Sequence, residues 1–137
     1  MTMDNSSVLQ AFLKEATNCK VSPSLERVAG KVVDALEIFR EATKEFPGLP
    51  WEIGFSGGKD SSVVCHLAFE HIRQSLIDGS TLPKKVYILY SDTLLDFPVL
   101  RMHTLSTLRS MEQYANRFNS LVEIKVLKPA EGEDFLV

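Results

Sequence analysis

The chain has 137 residues, with 15 Lys+Arg against 18 Asp+Glu and a formal net charge of −3, enough for one ordinary domain and too little for two separately cored ones. Hydrophobic residues make up 45% and charged residues 24%, which excludes a disordered tail, and no apolar run approaches the roughly 20 residues that span a bilayer. The mildly acidic balance creates no general field for a polyanion, so contact with nucleic acid would have to come from a local patch or a partner protein.

The opening MTMDNSSVLQAFLKEA has neither a basic leader nor a long apolar segment, so no secretory signal is expected. Cys19 and Cys65 form no Cys-x-x-Cys pair and read as reduced thiols of a cytoplasmic protein. Leu9, Phe12, Leu13 and Ala16 follow the i, i+3, i+4, i+7 rule of a short amphipathic helix. Ser22-Pro23 supplies an N-cap and a proline at the first helical position, and Leu25, Val28, Ala29, Val32, Ala35, Leu36 and Phe39 carry a second helix to about Glu45. Pro47-Gly48 ends it, and Pro50 keeps Leu49 out of helical geometry. Residues 1–48 thus read as a helical hairpin.

From residue 49 to 137 the pattern changes. Trp51-Glu52-Ile53-Gly54-Phe55 is short, aromatic and β-branched and runs into Ser56-Gly57-Gly58-Lys59-Asp60-Ser61-Ser62. Val63, Val64, Leu67, Ala68, Ile72 and Leu76 then mark a helix ending near Asp78-Gly79. Val86-Tyr87-Ile88-Leu89-Tyr90 reads as a buried parallel strand, followed by Ser91-Asp92-Thr93. Pro98 opens a helix carried by Leu105, Leu108, Met111, Ala115 and Phe118, and a third strand covers Leu121 to Leu127.

Strand, helix, strand, helix, strand predicts a three-layer α/β fold with a parallel sheet, one half of a doubly wound arrangement. The first strand is expected to be central, with the second beside it and the third beside the second. Ligands in such sheets bind outside the carboxyl ends of the strands, which brings the 56–62 and 91–98 loops to one rim.

The glycines of Ser56-Gly57-Gly58-Lys59-Asp60-Ser61 permit close backbone approach to a ligand, and the loop feeds a helix N-terminus that favours an anion. Ser56, Ser61 and Ser62 add hydroxyls. Asp60 fits beside phosphate when a cation lies between them, which makes it the candidate Mg²⁺ ligand. The spacing fits neither a Walker A loop nor Gly-x-Gly-x-x-Gly. The bland alternative is a glycine turn serving tight strand-to-helix packing.

Ser-Gly-Gly-Lys-Asp-Ser resembles the PP-loop of the ATP pyrophosphatases, which cleave ATP between the α and β phosphates. Tyr90-Ser91-Asp92-Thr93 with Pro98 resembles the second motif of the phosphoadenosine phosphosulfate reductase family within that superfamily. The closer similarity is to the DndC-type sulfur-transfer proteins of DNA phosphorothioation. It rests on Trp51–Phe55, on Ser91-Asp92-Thr93-Leu94-Leu95, and on Lys128-Pro129 before Glu133-Asp134-Phe135. It spans about residues 45–137.

The resemblance implies an adenine-nucleotide α-hydrolase type of sheet, incomplete here at three strands where the superfamily has five. It implies that Ser56, Gly57, Gly58, Asp60 and Ser61 hold the pyrophosphate of ATP, with Lys59 and Ser62 beside them and Asp92 and Thr93 near the nucleotide. Ser56 and Asp60 become the candidate catalytic residues, and Asp96 stands where relatives often carry a glutamate. The expected activity is adenylation of an oxygen, that of a DNA backbone phosphate in the DndC-type reading, for sulfur transfer. ATP and Mg²⁺ would take part, with a cysteine desulfurase-type sulfur donor and DNA met through a complex. The alternatives are a phosphosulfate reductase-like enzyme and a non-catalytic nucleotide-binding or assembly module. The reductases' C-terminal cysteine and the cysteine-rich, iron–sulfur region of the DndC type would lie beyond residue 137. The chain therefore reads as a piece of a larger protein or a short relative, with apolar edges that favour association.

Other candidates have plainer explanations. Cys65, among Val63, Val64 and Leu67, reads as a core thiol rather than a sulfur carrier. His66, His71 and His103 lack metal-ligand spacing. Arg101, Arg109, Arg117 and Lys125 recur every eight residues, as a solvated face or a stripe for DNA phosphates.

Overall fold

The structure, a computed structural model, describes residues 22–132. The helix expected over residues 9–16, Cys19 and residues 133–135 lie outside the described residues. The first described helix, α1, runs Pro23–Glu45. Ser22 caps it by accepting the Leu25 N–H at 3.3 Å, Pro23 needs no donor at the first position, and the Phe46 N–H closes the last turn on Ala42 O at 3.0 Å.

Strand β1 (Trp51–Gly54), helix α2 (Lys59–Asp78), strand β2 (Val86–Ser91), helix α3 (Pro98–Ala115) and strand β3 (Val122–Leu127) follow in turn. The molecule is a mixed α/β protein with a three-stranded, wholly parallel sheet in the order β1-β2-β3. The expected neighbours are correct, but the expected centre is not: β2 holds the middle and β1 an edge of this sheet. Both connections are helical crossovers, as parallel pairing requires. Register pairs Gly54 with Leu89 and Ser91 with Leu127, and the Phe55 and Asp92 N–H groups extend the pairing to Leu89 O and Leu127 O at 2.8 Å each. The three strands therefore end at one rim.

Val86, Ile88 and Tyr90 are buried on β2, while Tyr87 and Leu89 are half-buried. The apolar run is thus an alternating strand, with one face more fully covered than the other. The helix opened by Pro98 stops earlier than its apolar pattern. Asn116–Phe118 tightens into a 3-10 turn, Asn119 and Ser120 turn left-handed, and Phe118 is still buried.

Two compact units are distinguishable. Among the described residues, one holds residues 22–47 with Leu67–Leu82; the other holds Gly48–His66 with residues 83–132. The N-terminal part of α2 thus belongs with the sheet and its later turns with α1. In the α1 unit the buried Thr43 hydroxyl donates to Phe39 O at 2.8 Å, so its oxygen accepts from His71 Nε2–H at 3.0 Å. Burial, then the Arg40 charge, pushes the His71 pKa down. Arg40 also donates to Gln74 Oε1 at 2.9 Å. Among the described residues no helix is long and apolar enough to cross a membrane.

Candidate functional site

The glycine loop leaves the carboxyl end of β1 and enters α2 within the sheet unit. Gly57 has φ +83°, a conformation that L side chains rarely adopt. A Cβ built there would collide with Thr104 Oγ1 on α3 and sit 3.1 Å from Thr104 Cβ. Gly58 is under less demand, since its Cβ would meet only Ser56 Oγ at 3.4 Å. Tight packing therefore accounts for Gly57, but not for the rest of the hexapeptide.

The three serines hold the loop's shape. Ser61 and Ser62 hydroxyls both donate to Gly58 O, at 3.2 and 2.7 Å. With its proton spent, Ser61 Oγ accepts the Ser56 N–H at 3.2 Å and lies 3.1 Å from Ser56 Oγ, which takes the Gly58 N–H at 3.3 Å. These hydroxyls, expected as ligand donors, are already engaged within the loop. The main chain remains. Ser62 N–H to Gly58 O, at 3.1 Å, is the first rung of the α2 ladder, so the N–H groups of Lys59, Asp60 and Ser61 precede it and have no intrahelical acceptor. Lys59 and Asp60 are exposed.

The second loop follows β2 at the same rim. Asp92 is buried, and its side chain exposes no surface. Arg101 Nε lies 3.0 Å from both Asp92 oxygens and Nη2 lies 2.7 Å from Oδ2, while Oδ1 accepts the Leu94 N–H at 3.2 Å. The Arg101 hydrogen bonds hold the Asp92 carboxyl below its usual pKa, opposed by desolvation and helped by the Leu94 N–H and the Lys128 charge. The Asx turn sets Leu94 at φ 64°, and Thr93 Oγ1 takes the Leu95 N–H at 3.4 Å. Asp96 accepts from the buried Tyr90 hydroxyl at 3.3 Å.

Strand adjacency and the Gly57–Thr104 contact bring the 56–62 loop, the 92–96 loop and the head of α3 together. Asp92, expected beside a nucleotide, lies at the rim and pairs with Arg101. Arg101 and Thr104 were missed as site residues; their signal was the i, i+3 spacing after Pro98, which puts both on one face of α3. Arg101 leaves the arginine stripe by pairing with Asp92. Arg117 leaves it too, since it lies in the 3-10 turn over the Tyr114 ring at 5.2 Å. Cys65 is wholly buried and desolvation raises its pKa to about 11, which makes it a core thiol. His66 and His103 are exposed.

Among the described residues no three His, Cys, Asp or Glu side chains converge as a ready metal cage. A divalent ion at Asp60 would therefore draw most of its ligands from phosphate and water, the usual habit of Mg²⁺. A polar cleft of about 480 Å³ lies at the opposite end of the sheet, by Lys85, Ser120 and Glu123. Its Lys85 is already spent on Glu123 at 3.3 Å and on Ser120 O.

The chain matches no protein-family model, no curated protein and no solved structure.

Proposed function

We propose that the rim binds ATP through its phosphates, in the manner of a PP-loop ATP pyrophosphatase, and activates an oxygen by adenylation for sulfur transfer. The observation that carries the proposal is the set of N–H groups of Lys59, Asp60 and Ser61, which have no acceptor among the described residues. They head a 20-residue helix fed from a parallel strand through Gly57. Such a terminus combines free donors with the positive end of the helix dipole, a natural seat for a pyrophosphate group.

In this scheme the acceptor oxygen attacks the α-phosphorus and pyrophosphate departs, its charge met by the amides of residues 59–61 and by the Lys59 ammonium. Asp60 would hold one Mg²⁺, which would neutralise charge on the phosphate chain. Ser56, Ser61 and Ser62 keep the amides aimed, so the loop contributes electrostatic preorganisation rather than proton transfer. The terminal sulfur of a desulfurase-type persulfide would then attack the activated centre and displace AMP, and a thiol co-reactant would cleave the S–S bond so formed, releasing the sulfurated product and leaving a disulfide on the donor side. The DNA phosphate acceptor, the donor and the membership of the DndC type rest on the motif resemblance alone. Cys65 as the sulfur carrier is disfavoured, because that thiol is buried and its pKa is raised.

Calorimetric titration with Mg·ATP, followed by measurement of pyrophosphate release with and without DNA, tests the proposal. Saturable binding with release supports it. Binding without turnover leaves a nucleotide-binding module, and no binding at millimolar ATP overturns it.

A further inference from the structure

Arg101 stands outside the glycine loop but at the same rim, held there by Asp92. A guanidinium has five N–H donors, and the bonds to Asp92 use the one on Nε and one on Nη2. Its other donors form no hydrogen bond among the described residues, and the side chain is 34% exposed although its carboxylate partner is fully enclosed. The buried carboxylate therefore fixes the plane of the fork while one edge stays open.

The place of that edge follows from α3 and from Asp92. Thr104, one turn further along the same face, abuts Gly57, and helical side chains lean toward the helix N-terminus. Arg101 lies one turn nearer the α3 N-terminus on that face, and its bonds to Asp92 hold the guanidinium at the carboxyl end of β2, the neighbour of the strand that feeds the glycine loop. Among the described residues, the segments that follow the three strands also carry the exposed Lys59, Lys128, Asp60, Asp96 and Glu131.

We infer that Arg101, clamped by Asp92, is a polyphosphate-binding residue whose open donors take oxygens of the phosphate chain beyond the first phosphate. Asp92 is then a positioning residue. The inference deepens the ATP proposal and rests on it, and it adds a specificity: the rim selects di- and triphosphates over monophosphates without depending on the metal.

The test uses the full 137-residue chain, titrated calorimetrically with ATP, tripolyphosphate and AMP, each in Mg²⁺ and in EDTA. The double variant Asp92→Asn/Arg101→Met removes both charges, so no buried carboxylate is stranded. It should lose about tenfold or more in affinity for ATP and tripolyphosphate in both buffers, with AMP changed by no more than about twofold. Asp92→Asn alone keeps the cation but loosens its clamp and should lose about threefold. Should the double variant fail to fold, Arg101→Lys keeps a charge for Asp92 without the fork and should lose at least about threefold for tripolyphosphate.

Unchanged tripolyphosphate affinity in a folded variant, or an equal loss for AMP, overturns the role of Arg101 while leaving the ATP proposal standing. A wild-type chain that binds neither ATP nor tripolyphosphate at millimolar concentration overturns both.

Discussion

The space a methyl group would need on Gly57 is already filled by the hydroxyl of Thr104, which itself donates to Leu100 O at 3.0 Å. Gly57→Ala therefore meets two penalties, a left-handed backbone and a steric overlap. The expected destabilisation is about 2–4 kcal/mol by urea unfolding. Thr104→Ala in the same chain should recover part of it by removing the overlap but not the φ strain. Gly58→Ala should cost no more than about 1 kcal/mol. Equal costs at the two glycines would contradict the geometry.

Asp60 is exposed in the first turn of α2, where removing its charge should hardly alter folding. Asp60→Ala should weaken Mg·ATP by about tenfold and AMP far less, and the difference should vanish in EDTA. A loss that is the same for both nucleotides, or that persists without Mg²⁺, would remove Asp60 from metal binding. Metal dependence also separates Asp60 from Arg101, whose effect survives chelation.

Acid should destabilise the protein in two pH ranges, the upper through His71 and the lower through Asp92 together with Glu70, Asp78 and Glu123. His71 has a pKa lowered by burial and by Arg40, so its stabilising contribution is complete above about pH 6.5 and is lost as pH falls through the lower folded value. Asp92 has a carboxyl pKa lowered by Arg101, so its contribution is complete above about pH 3.9 and is lost only below that. Urea unfolding across pH should show the lower loss shrink but not vanish in Asp92→Asn/Arg101→Met, because Glu70, Asp78 and Glu123 are also held below the usual carboxylate range, while the upper loss stays. Thr43→Val should cost about 1–2 kcal/mol at neutral pH, because the buried His71 N–H loses its acceptor.

Alkali should act through Cys65. Its folded pKa of about 11 exceeds the ordinary thiol value of about 8.5, so the stability it confers is complete below pH 8.5 and drains as pH rises through 11. In a Cys19→Ser background, iodoacetamide at pH 8 should leave Cys65 unmodified until urea opens the fold. Rapid labelling of the native chain would show an accessible thiolate instead.

The sequence by itself determined the local elements. Ser22-Pro23 starts α1, Pro47-Gly48 ends it, alternating apolar residues make β2, and Pro98 opens α3, because caps, prolines and periodicity act over three or four residues. The glycine loop was legible for the same reason, as was the common rim, since parallel strands joined by helices must end together. Tertiary structure alone decided which strand sits in the middle, that Gly57 is demanded by Thr104, 47 positions away, and that Asp92 holds Arg101. Each of these depends on atoms brought together by the sheet's register and by the docking of α3 in the sheet unit, and no local propensity encodes such a juxtaposition. Composition could suggest a carboxylate at the rim; only packing turned it inward and left a guanidinium in its place.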